Sequence, residues 1–141
     1  MGAMELTAYW EGGYRCRVPV RDFQVVADEP SQYGGTDLGP MPTELFLASL
    51  ATCFAMAVHH AFGKRDVELP DLSVRVEADY DGLRFGRIRV EVRSSHPPEE
   101  IEAVMQRAIS YCYVSNTLLK PPEMEFVVGD GPFTPPQPPP A

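Results

Sequence analysis

The first part of the chain alternates apolar and polar residues in short stretches. In YRCRV, the alternation places Arg15 and Arg17 on one face and Cys16 with its apolar neighbours on the other, as a half-buried strand requires. A Gly-Gly pair directly before this stretch is typical of a turn. The pattern therefore predicts two or three antiparallel strands over positions 5–28.

The stretch PTELFLASLATCFAMAVHHAF is apolar on nearly every face. Proline suits the first turn of a helix and glycine suits its end, so we predict a helix from about Pro42 to Lys64, ended by Gly63 and the Lys64-Arg65 pair. A sheet covers only one face of such a helix. In a chain this short, a second subunit is the natural cover for the remainder.

The span from Leu45 to Phe62 is also long enough to cross a bilayer. It contains Ser49, Thr52 and a histidine pair, is bounded by charged residues and lacks an aromatic belt. The composition therefore favours a buried helix of a soluble protein over a membrane span.

Clear alternation returns in LSVRVEADYD and FGRIRVEVRSS, which predict two long strands joined by a hairpin at DGLRFG. HPPEEIEAVMQRAISYC predicts an amphipathic helix with Cys112 on or near its apolar stripe. Ser115 is predicted to cap a short further turn, and MEFVV is predicted to form a last strand. This order of elements predicts an α+β fold with a largely antiparallel sheet and two main helices.

Length and composition indicate one domain. A chain of 141 residues with 44% apolar content suits a single soluble domain, which we assign to residues 1–128. Residues 1–3 resemble a vector-derived extension ahead of Met4. Residues 129–141 are rich in proline, so we predict a disordered or polyproline tail there.

Charge and cysteine usage exclude several functional classes. The net charge of −8 and the lack of a basic stripe argue against nucleic-acid binding. Three widely spaced cysteines, without CxxC or a signal segment, indicate a cytoplasmic chain whose thiols are reduced. His59 and His60 are adjacent and point to different helix faces, so we predict no metal site and no cofactor.

Two cysteines are candidates for redox chemistry. A lone cysteine in an apolar helix, such as Cys53, is ordinarily a small hydrophobe. A peroxide-reducing thiol becomes a sulfenic acid, which a second thiol must remove. Cys112, on another predicted helix, is the candidate for this second thiol. A thiolate in the middle of a helix needs a neighbouring cation, for which Arg15 and Arg17 are candidates. The residues alone leave packing and redox chemistry both open.

Two segments carry a family resemblance. GPMPTELFLASLATCFAMAV, followed later by YCYVSNTL, resembles the OsmC/Ohr family of osmotically inducible and organic hydroperoxide resistance proteins. The resemblance runs from YWEGGYRCRV to MEFVV, and the separation of 59 positions between Cys53 and Cys112 is close to the usual spacing of the family's two cysteines.

The resemblance implies an intertwined α+β homodimer with the two long helices at its centre and two active sites at the subunit interface. It implies that Cys53 is the peroxidatic residue of a thiol-dependent peroxidase of organic hydroperoxides and that Cys112 resolves it as a disulfide. A dithiol reductant, often of lipoyl type, then restores the thiols.

One position differs from the peroxidases of the family. In those proteins a carboxylate ten positions before the reactive cysteine holds an arginine over the thiol, and here that position is Thr43. The acid stands one residue later, at Glu44, and one helical step turns a side chain by about 100°. Arg15, Arg17 and Arg21 compete for the arginine's role. The alternative is therefore a non-catalytic protein that binds a small hydrophobic ligand in the dimer-interface pocket.

Overall fold

The computed structural model describes residues 2–63, 69 and 71–136. The chain divides into two units, which we call the terminal unit (Met1–Leu45 with Glu125–Ala141) and the central unit (Phe46–Met124). The assignment of residues 1–128 to one domain and of residues 129–141 to a tail stays a prediction.

The terminal unit contains a three-stranded antiparallel sheet, the upper number of the predicted two or three strands. Its strands lie side by side in chain order: β1 (Tyr9–Gly12), β2 (Arg15–Val20) and β3 (Phe23–Ala27). Gly12, the last residue of β1, and Gly13, which follows it, have φ of 111° and 54°. Residues that carry a side chain rarely adopt these positive φ angles, which is why the turn falls on the glycine pair.

A buried carboxylate organises the loop that follows β3. Asp28 is 1% exposed and accepts hydrogen bonds from the backbone N–H of Glu29 at 2.8 Å, Thr36 at 3.3 Å and Leu38 at 3.2 Å, and from the Thr36 hydroxyl. These bonds, above all that of the Thr36 hydroxyl, lower the pKa of Asp28 to about 2 against the opposing effect of burial. The loop before the long helix is thus held by one side chain.

The predicted long helix is confirmed as α1 (Pro42–Gly63). Its predicted continuation to Lys64 lies outside the described residues. Its buried side chains belong to the second half: Leu50, Phe54, Ala57, Val58, Ala61 and Phe62. By length and composition α1 is the one helix among the described residues that could span a membrane, and 33% of its most apolar window is buried. A single helix of this kind is weak evidence for a membrane span.

The central unit combines α1 with a hairpin and two further helices. The hairpin is β4 (Ser73–Asp81) with β5 (Arg84–Arg93), and the helices are α2 (Pro98–Tyr111) and α3 (Tyr113–Leu119). The apolar positions predicted to share a face pair across the hairpin: Val74 with Val92, Val76 with Val90, and Ala78 with Ile88. They pack against a core built by α1 and α2. The α+β class with antiparallel pairing is therefore confirmed.

Two local predictions are wrong. Residues 124–128 do not form the last strand predicted for MEFVV, because within the described residues no strand pairs with them. Phe126 is accordingly 86% exposed and Val128 fully exposed. Ser115 does not cap α3 either. The N-cap residue of α3 is Cys112, whose sulfur accepts the N–H of Ser115.

Candidate active site

Cys53 lies on α1 at the edge of the core, with part of its side chain accessible. It packs against the buried cluster of the central unit and also lines an open cleft of about 550 Å³. Met56, Ala57 and His60 continue along the same cleft, three, four and seven residues further on. This spacing follows one face of a helix, so α1 itself forms one wall of the cleft.

Cys112 lies at the break between α2 and α3 and is fully buried. Its backbone is extended, with φ of −86° and ψ of 103°, and this ends one helix and begins the next. Its carbonyl oxygen accepts the N–H of Asn116 at 2.9 Å and the hydroxyl of Ser115 at 3.2 Å. Its sulfur accepts the N–H of Ser115 at 3.4 Å. The thiol is thus fixed by the start of α3.

The surroundings of Cys112 favour its thiolate. Burial raises the pKa of the thiol, but hydrogen bonds from the side chain and backbone of Ser115, from the Cys53 thiol and from the backbone of Val114 together lower it below the ordinary value. Cys53 also packs against the buried cluster that contains Cys112. All three thiols of the described structure are free.

The far end of the cleft is polar. The rings of His60 and Tyr111 meet edge to face, with their centroids 4.7 Å apart, and Asn116 donates its side-chain N–H to the carbonyl of Ser110 at 3.1 Å. The sequence pattern suggested only a metal-binding test for His60 and assigned no role to Ser110, Tyr111 or Asn116. The seven-residue spacing between Cys53 and His60, two helical turns, is the signal that could have placed His60 on the thiol's face.

The two candidate arginines lie on β2 and share one carboxylate. Arg17 donates both Nε and Nη2 to Glu11, at 3.0 Å and 3.4 Å, and Arg15 pairs with the same carboxylate at 3.4 Å. Arg15 also approaches the Thr36 hydroxyl at 3.5 Å. Both arginines belong to the terminal unit, whereas Cys53 belongs to the central unit. Their role at the thiol stays a prediction.

Glu44 lies in the first turn of α1, where its carboxylate accepts the backbone N–H of Met41 at 2.9 Å. A carboxylate that reaches back to the residue before the helix satisfies one of the N–H groups left unpaired there. This contact gives Glu44 a structural task at the helix start. Any catalytic role of Glu44 stays a prediction.

Metal-binding side chains do not cluster in the described part of the chain: no group of three or more His, Cys, Asp or Glu residues is arranged to hold a metal ion.

Known structures share this fold. An OsmC-like protein from Mycoplasma pneumoniae is 19% identical, with 85% of this chain and 89% of that one covered at a TM-score of 0.72. An organic hydroperoxide resistance protein OsmC from Legionella pneumophila is 23% identical, with 85% and 93% covered at a TM-score of 0.60. An organic hydroperoxide resistance protein from Elizabethkingia anophelis is 20% identical, with 85% and 91% covered at a TM-score of 0.62.

The sequence comparison gives the family. No curated protein sequence matches the chain, but the family model of OsmC-like proteins matches residues 35–127. The match includes the whole of α1 and both helix cysteines. The chain therefore belongs to the family of OsmC-like proteins.

Proposed function

We propose that this protein is a thiol-dependent peroxidase that reduces organic hydroperoxides, with Cys53 peroxidatic and Cys112 resolving. The observation that carries the proposal is the placement of the two thiols: Cys53 opens onto a cleft of about 550 Å³, and the buried Cys112 belongs to the apolar cluster against which Cys53 packs. Of these two thiols only Cys53 is partly exposed, so it is the one that meets the peroxide.

The proposed reaction has three steps. The Cys53 thiolate attacks one peroxide oxygen, the O–O bond breaks, and an alcohol leaves after taking up a proton, so that Cys53 becomes a sulfenic acid. Cys112 then attacks the Cys53 sulfur, the S–O bond breaks, and water leaves with the formation of a disulfide. A small dithiol of lipoyl type reduces this disulfide and returns both thiols.

The relatives support the same reaction class. The structural neighbours from Legionella pneumophila and Elizabethkingia anophelis are organic hydroperoxide resistance proteins. Their fold extends over 85% of this chain in each case. An organic hydroperoxide is therefore the first substrate class to test.

A homodimer is part of the proposal. The apolar helix α1 has only 33% of its most apolar window buried, with Met56 69% exposed. The apolar segment 124–128 has no strand partner among the described residues and is also exposed. A second copy, with the two long helices central, would cover such surfaces. We expect this dimer to act in the cytoplasm.

The decisive experiment measures hydroperoxide consumption by the purified protein. We expect it to consume cumene hydroperoxide with dihydrolipoamide as reductant, and Cys53→Ser to abolish turnover. Cys16→Ser is the matched control, because Cys16 lies on β2 outside the central unit. Consumption by the wild type at the rate of Cys53→Ser would refute the proposal.

The second candidate is a non-catalytic protein that binds a small hydrophobic ligand in the dimer-interface pocket. One observation favours it: Glu44, the acid nearest to position 43, is engaged at the helix start. This function predicts that a fluorescent fatty-acid probe binds wild type and Cys53→Ser equally, while neither consumes hydroperoxide. Turnover that depends on Cys53 would exclude it.

A further inference from the structure

We propose that Ser115 is a positioning residue of this reaction, which holds Cys112 ready to attack the oxidised sulfur of Cys53. The inference rests on the proposed peroxidase function and deepens it by naming what makes the resolving step fast. It concerns the second step of the reaction only, so we expect Ser115 to leave the attack on the peroxide unaffected.

Ser115 holds Cys112 at two points. Its N–H approaches the Cys112 sulfur at 3.4 Å, and its hydroxyl donates to the Cys112 carbonyl oxygen at 3.2 Å. The hydroxyl bond keeps the carbonyl turned towards α3, and the same local geometry directs the N–H of Ser115 to the sulfur. Ser115 thus holds the backbone of the resolving residue through its hydroxyl and the thiol through its N–H.

The position of Cys112 makes this support necessary. The residue is fully buried, and burial among apolar groups disfavours a thiolate. Within the described surroundings, Ser115 supplies the largest opposing effects, and the pKa of the thiol falls below its ordinary value as a result. The thiolate form of this buried nucleophile is therefore more accessible than burial alone would allow.

A fast resolving step protects the enzyme. A sulfenic acid on the accessible Cys53 can react with a second hydroperoxide molecule to give an irreversible sulfinic acid. Attack by the Cys112 thiolate competes with this reaction, because it forms the S–S bond as hydroxide leaves and takes up a proton. The resolving step is faster when the Cys112 thiol is more readily ionised and already faces the Cys53 sulfur.

The test measures the nucleophilicity of Cys112 without any peroxide. In a Cys16→Ser background, 5,5′-dithiobis(2-nitrobenzoate) first forms a mixed disulfide with the accessible Cys53. Attack of Cys112 on the Cys53 sulfur then releases the remaining thionitrobenzoate, and this second release is followed by absorbance at several pH values. The assay works whether or not the protein is a peroxidase, so the two proposals can fail separately.

For Ser115→Ala we expect the pH profile of the second release to cross that of the parent. The Ser115 hydroxyl lowers the pKa of the Cys112 thiol, so its removal should reduce the thiolate fraction by about tenfold at neutral pH. The remaining thiolate is more basic and hence about threefold more nucleophilic. The variant should therefore release thionitrobenzoate about threefold more slowly than the parent near neutral pH. At high pH, where Cys112 is ionised in both proteins, it should release it about threefold faster.

Two further variants separate positioning from general damage. Ser115→Thr keeps the hydroxyl and should restore the parent profile. Thr117→Ala is the matched control, since the Thr117 hydroxyl donates to the Tyr113 carbonyl at 2.7 Å in the same short helix, and it should leave the profile unchanged. Parallel pH profiles for Ser115→Ala and its parent, whether equal or slower throughout, would overturn the proposal.

With hydroperoxide, the same variant should show unchanged consumption of the first equivalent and increased sulfinic acid on Cys53 by mass spectrometry. If neither the parent nor Ser115→Ala reacts with hydroperoxide, but their pH profiles of thionitrobenzoate release still cross, then the proposed function fails and the role of Ser115 at Cys112 stands. Unchanged sulfinic acid in a peroxidase-active Ser115→Ala would contradict the protective role.

Discussion

Oxidation by substrate should stabilise this protein measurably, because a disulfide between Cys53 and Cys112 would close a long loop within the central unit. The two residues are 59 positions apart. The chain-entropy estimate for a loop of 59 residues is about 4 kcal/mol of additional free energy of unfolding, as an upper limit that native-state strain reduces. For a chain of 141 residues, this corresponds to a rise in Tm on the order of 10 °C.

The assay compares thermal unfolding of the reduced protein with that of protein treated with one equivalent of cumene hydroperoxide. Peptide mapping under non-reducing conditions identifies the bridge, and dithiol treatment should return the Tm to its initial value. Cys112→Ser is the control, because it can form the sulfenic acid on Cys53 without closing the loop, so its Tm should not rise.

Two outcomes would refute the reasoning. A bridge mapped between Cys53 and Cys112 without a rise in Tm would mean that bridging strains the native structure by as much as it restricts the unfolded chain. A rise in Tm without this bridge, or with a bridge through Cys16, would mean that the sulfur pair is not the reactive one. The first outcome would refute the stability argument, and the second would refute the proposed pairing of the two helix thiols.

Further predictions concern the parts of the structure that support the site. Asp28 has a pKa of about 2 against an ordinary 3.8. Its ionised form therefore stabilises the fold above about pH 4, and this stability is lost as the pH falls towards 2. Urea unfolding should show Asp28→Asn less stable than wild type at pH 7 and the difference closing towards pH 2. Glu44→Ala should lower the free energy of unfolding by about 1 kcal/mol and Glu44→Gln by less, because glutamine keeps an acceptor for the N–H before the helix. Phe62→Ala should lower it by about 3–5 kcal/mol, since the ring is only 2% exposed. Glu11→Gln should slow hydroperoxide consumption, measured under single-turnover conditions, if Arg15 or Arg17 activates Cys53.

The sequence was sufficient for elements whose pattern is local. The hairpin β4–β5 has apolar residues at every second position, and a slip of one residue would expose that whole face, so its register followed from the alternation. The long helix followed from a run of 22 residues with proline at its start and glycine at its end. Both predictions depended on local patterns, and the hairpin and the helix over Pro42–Gly63 are confirmed.

The wrong predictions depended on partners that a local pattern does not contain. MEFVV has the composition of a strand, but a strand needs a neighbour, and the described residues of one chain offer none. Ser115 is a good capping residue by type, yet the chain turns at Cys112, three residues earlier. The proximity of Cys53 and Cys112 likewise could not be read from the residues, since it depends on how α2 packs on α1.

The carboxylate missing at Thr43 has a possible substitute on another element. In the peroxidases that this chain resembles, the acid serves to hold an arginine over the thiol, and holding an arginine does not require a particular place in the sequence. Glu11 holds Arg17 through two hydrogen bonds and pairs with Arg15 as well, and these arginines lower its pKa, Arg17 most of all. Glu44, in contrast, contacts the start of its own helix. If an arginine of β2 activates Cys53, the acid that orients it is therefore Glu11, and the substitution at Thr43 is compatible with an active peroxidase.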